Sequence, residues 1–197
     1  MSLDFASNII APPRPRCIGV AMQPYCLGHH LRLTAAESPF VTGKGFPGYE
    51  VLILAALICA HTWEEGEQLL GSRWRMWFTL KVWGLFAGKF DVLESLAAMA
   101  KHVRESLQIP ETKPQRKGSV RHLFSDWETR LYTFLRSHGL SHVEAMNTPM
   151  TIANLMFCAH MEETGGMEFK SKLDYDIDDA LTRACDEGEL AERSMPA

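Results

Sequence analysis

Apolar residues recur at helical spacing through most of the chain after Gly48, and the polar residues between them mark where each helix starts and stops. Residues 49–63 are apolar nearly all round, the pattern of a helix buried at the centre of a domain. Ser72 is placed to cap a helix over 73–86, in which Trp74, Trp77, Val82 and Leu85 alternate with Arg73, Arg75 and Lys81. Asp91 and Glu94 have capping-box spacing and open a helix over 92–107, whose face Leu93, Leu96, Ala97, Ala100, Val103 and Leu107 is expected to be buried. Ser125 with Glu128 has the same spacing, starting a helix over 126–138 that Gly139 closes as a left-handed cap.

Two helix starts then stand back to back. Ser141 with Glu144 forms a capping box for a one-turn helix, and Thr148 with Pro149 reads as the cap and first residue of a longer one. Ile152, Leu155, Met156 and Ala159 form the expected packing face of that longer helix, which ends at Gly165-Gly166. Before Gly48 the pattern is weaker. Residues 8–16 hold three prolines in four positions and read as an extended arm. Residues 17–25 are the best strand candidate, 27–37 are weakly helical, and Gly43, Gly45, Pro47 and Gly48 make a loop.

The expected fold is mainly α: a compact multi-helix bundle with an extended N-terminal arm and at most a small β element near residues 17–25. Its divisions are the arm (1–16), a helical core (17–109), a basic mobile loop (110–118), a helical hairpin module (119–170) and an acidic C-terminal helix (171–197).

Composition narrows the function classes. The 197 residues are 46% hydrophobic and 22% charged, an ordinary globular balance. The longest apolar run, residues 51–60, is half of the roughly 20 needed to cross a bilayer, and the first residues lack the basic and apolar regions of a secretory signal. No membrane span and a cytoplasmic location are expected. Five scattered cysteines without Cys-x-x-Cys spacing point to reduced thiols, with Cys59 and Cys158 as small hydrophobes inside helices. The net charge of −4 is uneven: residues 1–110 carry +1, 111–140 carry +3 and 141–197 carry −8, which disfavours the C-terminal quarter as a nucleic-acid face.

Candidate chemistry is sparse. The eight histidines include no His-Glu-x-x-His; His29 and His30 point about 100° apart on a helix, and His138 and His142 straddle Gly139. Cys158 and His160 lack further ligands nearby, and the aspartates at 174, 176, 178 and 179 miss the glycine and glutamate positions of a calcium loop. No nucleophile elbow or phosphate-binding glycine loop occurs. Catalytic residues, metal ligands and cofactors are therefore all assigned as none. The segment from Arg73 to Trp83 mixes cations with aromatics, but Arg73, Arg75 and Lys81 do not share one stripe, so nucleic acid is an unfavoured partner. Its first reading is a tryptophan-rich core helix with snorkelling cations.

Two segments carry a resemblance. Residues 140–165, a short Leu-Ser-x-x-Glu-x-Met helix followed by Thr-Pro-Met and a longer helix, resemble an element of small helical phage tail assembly chaperones and related tail-module proteins. Residues 22–40, with Pro24-x-x-Leu27-Gly28-His29, resemble a start seen in proteins of phage tail modules. The resemblance implies a non-enzymatic helical protein that binds the tape-measure protein or another tail component and keeps its apolar surface soluble until assembly. A structural subunit of a tail or injection particle, self-association, and a metal- or nucleic-acid-binding helical protein stand as alternatives. On the tail-protein reading the partner-facing surface is Arg73, Trp74, Arg75, Trp77 and Trp83, or the 110–118 loop.

Overall fold

The computed structural model describes residues 14–86, 90–108 and 126–164. The 110–118 loop, the 171–197 helix and all but the last residues of the 1–16 arm lie outside that set. The chain divides into two units, one of residues 1–109 and 122–157 and one of residues 110–121 and 158–197. Of the second, the described residues are Cys158–Thr164, the end of a helix that begins in the first.

As expected, the described residues are mainly helical. A two-stranded hairpin, β1 (Arg16–Cys17) and β2 (Val20–Ala21), precedes α1 (Leu27–Ala35), α2 (Pro39–Thr42), α3 (Tyr49–Ala60), α4 (Trp63–Leu70), α5 (Arg73–Phe86) and α6 (Val92–Ser106); α7 (Trp127–Ser137), α8 (His142–Asn147) and α9 (Met150–Glu163) complete them. The hairpin pairs Arg16 with Ala21 and Cys17 with Val20. Its two turn residues, Ile18 and Gly19, have φ of 46° and 80°, the left-handed pair of a type I′ turn. A β-branched residue is strained there. Packing holds it: Ile18 is buried and its N–H donates to Ser95 Oγ of α6 at 3.3 Å.

Helix α3 is the core helix the apolar run predicts, with Leu52, Ile53 and Ala55 through Cys59 buried. It ends earlier than expected. His61 is extended, and Thr62 with Glu65 forms a reciprocal capping box that opens α4. Around α1 pack α2, α3, α7 and α8, while α6 packs on α3 and β1, and α5 on α3 and α4.

Most predicted caps form. Asp91 accepts from the N–H groups of Leu93 and Glu94, and Ser141 and Glu144 exchange bonds of 3.2 and 2.8 Å. Gly139, at φ 88°, closes α7 while the N–H groups of Gly139 and Leu140 reach back to the carbonyls of Arg136 and Leu135. Two do not. Thr148 Oγ1 donates back to the Glu144 carbonyl instead of capping α9, which starts at Met150. Its neighbour Pro149 pairs with Cys26 in an antiparallel bridge, in which Leu27 N–H donates to Thr148 and Met150 N–H donates to Tyr25. The first free donor of α9 is thus satisfied by the chain entering α1. At α7 the N-cap is Asp126, and Glu128 turns away to His30.

The faces of two helices also differ from expectation. In α6 the buried residues are Ser95, Met99, His102, Val103 and Ser106, while Leu93 is 74% exposed and Ala97 and Ala100 face outward. In α9 Met150, Ala153, Asn154 and Phe157 are buried, whereas Leu155 and Ala159 are exposed. In both helices the phase that packs inward mixes polar with apolar residues.

Candidate interaction site

Helix α5 forms because Ser72 caps it, its Oγ accepting from Arg75 N–H, and because its interior holds no proline. It is the least buried of the long helices. Trp74 is 77% exposed, Phe78 61%, Leu85 84% and Trp77 53%, and the two tryptophan rings meet edge to face with centroids 5.7 Å apart. Trp83 is half-buried, and Arg73, Arg75 and Lys81 are exposed. The core reading of this segment is therefore corrected for Trp74 and Trp77: only one side of the helix packs.

Geometry explains the division. At 100° per residue from Arg73, the exposed residues Trp77, Lys81, Trp74, Leu85 and Phe78 fall at about 40°, 80°, 100°, 120° and 140°. Half-buried Met76, Thr79, Leu80 and Trp83 fall on the opposite side, between about 240° and 340°. Arg73 and Arg75 flank the outer face, one on each side. A groove of about 570 Å³ runs beside it, lined by Tyr49, Ile53, Trp77, Leu80 and Leu85 with Glu50 and Lys81.

The outward phase of α6 makes a second apolar surface. Leu93, Leu96, Ala97, Ala100 and Leu107 line a groove of about 820 Å³ against Phe40 of α2 and Phe46 of the following loop, which is 82% exposed.

Three histidines, His29, His30 and His102, and the described cysteines are buried elsewhere. Tyr25 Oη lies 3.1 Å from His30 Nδ1, and His30 Nε2 lies 3.0 Å from Glu128 Oε1. Desolvation acts to raise the Glu128 carboxyl, but backbone donation and His30 outweigh it and hold the group below its ordinary value. His29 accepts from Cys26 N–H at Nδ1, which leaves Nε2 to donate to the His61 carbonyl at 2.8 Å. Burial lowers His29 to about 4. His102 stands edge-on to Tyr25 with neither ring nitrogen in hydrogen-bond geometry; burial lowers it to about 4, and the nearby Gln23 backbone only partly offsets this.

Burial pushes the thiols of Cys17, Cys26 and Cys158 up to about 11 and that of Cys59 higher still, so none of them supplies a thiolate near neutrality. Among the described residues no three His, Cys, Asp or Glu side chains stand close enough to share a metal ion. No described helix is long and apolar enough to cross a membrane.

The Leu27-Gly28-His29-His30 segment acquires a packing account. A Cβ on Gly28 would strike the Trp63 ring, and one on Gly66 would strike the Arg32 guanidinium. These glycines let α1 and α4 close around Arg32, which stacks 3.9 Å from the Trp63 ring centre and donates to the Trp63 carbonyl and Glu67. Of the residues singled out from sequence, Arg73, Trp74, Arg75 and Trp77 lie on one exposed stretch of α5, and Trp83 lies behind it. Phe78, Leu85 and the α6 groove were missed, although Phe78 and Leu85 follow Trp74 at helical spacing. No family model matches the chain, and no curated protein or solved structure matches it either.

Proposed function

We propose that this chain is a non-enzymatic phage tail assembly protein, a chaperone-like binder of the tape-measure protein or another tail component, acting in the host cytoplasm before the particle is complete. One observation supports it above the others: α5 exposes Trp74, Trp77, Phe78 and Leu85 on a single face. Large aromatic side chains on a folded surface are the residue class that dominates protein–protein contacts, and contiguous apolar patches mark such contacts. The α6 groove adds apolar surface of the same kind. The two segments resembling tail-module proteins supply the choice of system, while the groups buried around Tyr25 are occupied with holding α1, α3, α6 and α7 together.

The test is co-expression with each product of the genes flanking this one, a coiled-coil tape-measure protein first. Expected is a stable complex that the Trp74→Ala/Trp77→Ala variant fails to form while keeping its melting temperature. Absence of a complex with every neighbouring product would overturn the reading. A chaperone should further be missing from purified particles; its presence there at subunit stoichiometry would replace it with a structural role.

A further inference from the structure

The exposed face of α5 is charged as well as apolar. The helix carries Arg73, Arg75 and Lys81 and no carboxylate, and among the described residues none of the three stands in an ion pair. The carboxylates of the adjacent α4 are committed elsewhere, Glu64 to Asn147, Glu65 to the Thr62 N–H and Glu67 to Arg32, and the one nearby carboxylate of α3, Glu50, lines the groove with Lys81 without pairing with it. The exposed residues 74, 77, 78, 81 and 85 keep the i, i+3, i+4 spacing that meets a second helix, along about 17 Å of axis. Lys81 sits within this row, between Trp77 and Leu85.

We propose that the outer face of α5 docks an amphipathic helix of a different protein, one whose apolar stripe is flanked by carboxylates. The inference rests on the reading of this chain as a protein-binding module and specifies the partner's chemistry. An apolar stripe covers Trp74, Trp77, Phe78 and Leu85, and flanking carboxylates meet Arg73 and Arg75 on the two sides. One further carboxylate within the stripe answers Lys81. A second copy of the chain is a poorer occupant, because a two-fold contact sets this patch against itself and brings its cations together. A bilayer is also poorer, since the Lys81 ammonium lies in the row that would insert deepest.

The probes are two synthetic helices of about 20 residues with one leucine stripe, flanked in one by glutamates and in the other by lysines, together with phosphatidylglycerol vesicles. Binding is read by peptide anisotropy and by tryptophan emission, the part due to Trp74 and Trp77 being the difference from the Trp74→Ala/Trp77→Ala variant. The glutamate peptide should bind and shift the emission to the blue, with affinity falling about tenfold or more as salt rises from about 50 to about 500 mM. The Arg73→Glu/Arg75→Glu/Lys81→Glu variant, all at exposed positions, should keep its fold by circular dichroism and exchange its preference to the lysine peptide. Equal binding of both peptides, no effect of the charge reversal, or binding to the vesicles in place of the glutamate peptide would overturn the proposal. If a tail protein binds through Trp74 and Trp77 but is indifferent to salt and to the charge reversal, this inference fails and the protein-binding reading stands. If the glutamate peptide binds but no tail protein does, the assignment to tail assembly fails instead.

Discussion

Lowering the pH from 7.5 to 5 should destabilise this protein through two buried histidines. His29 and His102 are held neutral by burial, each lowered from 6.5 to about 4. In the unfolded chain both regain the ordinary value and take up protons as the pH falls through 6.5, whereas the folded protein does not follow until about 4. The unfolded state therefore binds more protons across this window, and stability present above pH 6.5 is lost on acidification. At pH 5 the difference is about 2 kcal/mol for each histidine, or about 4 kcal/mol together, a large part of the roughly 5–15 kcal/mol typical of a domain. Glu128, Glu64 and Glu144 are held below 4.5, so the stability they contribute begins to be lost only as the pH falls through 4.5. Urea unfolding followed by far-ultraviolet circular dichroism measures the effect: the midpoint should fall by more than about 1 M between pH 7.5 and pH 5. His102→Gln should halve that dependence. A midpoint that does not move, or a His102→Gln variant with the full dependence, would refute the account of His102 as a buried neutral ring.

Gly66→Ala makes the sign of an effect informative. Helix propensity alone favours alanine by about 1 kcal/mol, but the added methyl meets the Arg32 guanidinium, so a net loss of about 1–3 kcal/mol is expected by thermal unfolding. Ser141→Ala should cost about 1 kcal/mol, read in the same assay, through loss of the bond from Glu144 N–H. The Trp74→Ala/Trp77→Ala pair should lower stability by less than about 1 kcal/mol, where two core tryptophans would cost about 3–5 kcal/mol each. Leu93→Ser, 74% exposed, should change it by no more than about 0.5 kcal/mol.

Where helices begin and end was largely written in local residues, because a cap is a contact between positions three or four apart. Asp91, Ser141 and Gly139 act where their spacing placed them, and the Thr62–Glu65 box was equally legible beneath the apolar run that ended beside it. Which face turns inward was not. In α6 the leucine phase is the more apolar, yet Ser95 and His102 face inward because the hairpin turn donates to Ser95 and Tyr25 stands against His102. Both contacts come from residues more than seventy positions away. Thr148 likewise satisfied every local rule for a cap and was overridden by pairing of its neighbour with Cys26. The site was half legible: aromatics and cations at 73–77 were conspicuous, but exposure depends on what fails to pack against α5. Helical wheels alone could not decide that.

The short bridge between Cys26 and Pro149 also sets an order on folding. It joins positions more than 120 residues apart, so a loop containing α1 through α8 must close before Met150 can donate to Tyr25. During synthesis α1 emerges early and has its α2 and α3 neighbours within reach, but its contacts to α7 and α8 wait for the far end of the chain. Until then His30 lacks Glu128 and the Tyr25 carbonyl lacks its donor, the Met150 N–H. A product cut short before Asp126 would keep the apolar α3 and the aromatic face of α5 without the helices that close over α1, and aggregation is its expected fate. Closure of the Cys26–Pro149 bridge is thus the step at which α1 gains its neighbours from the later part of the described chain.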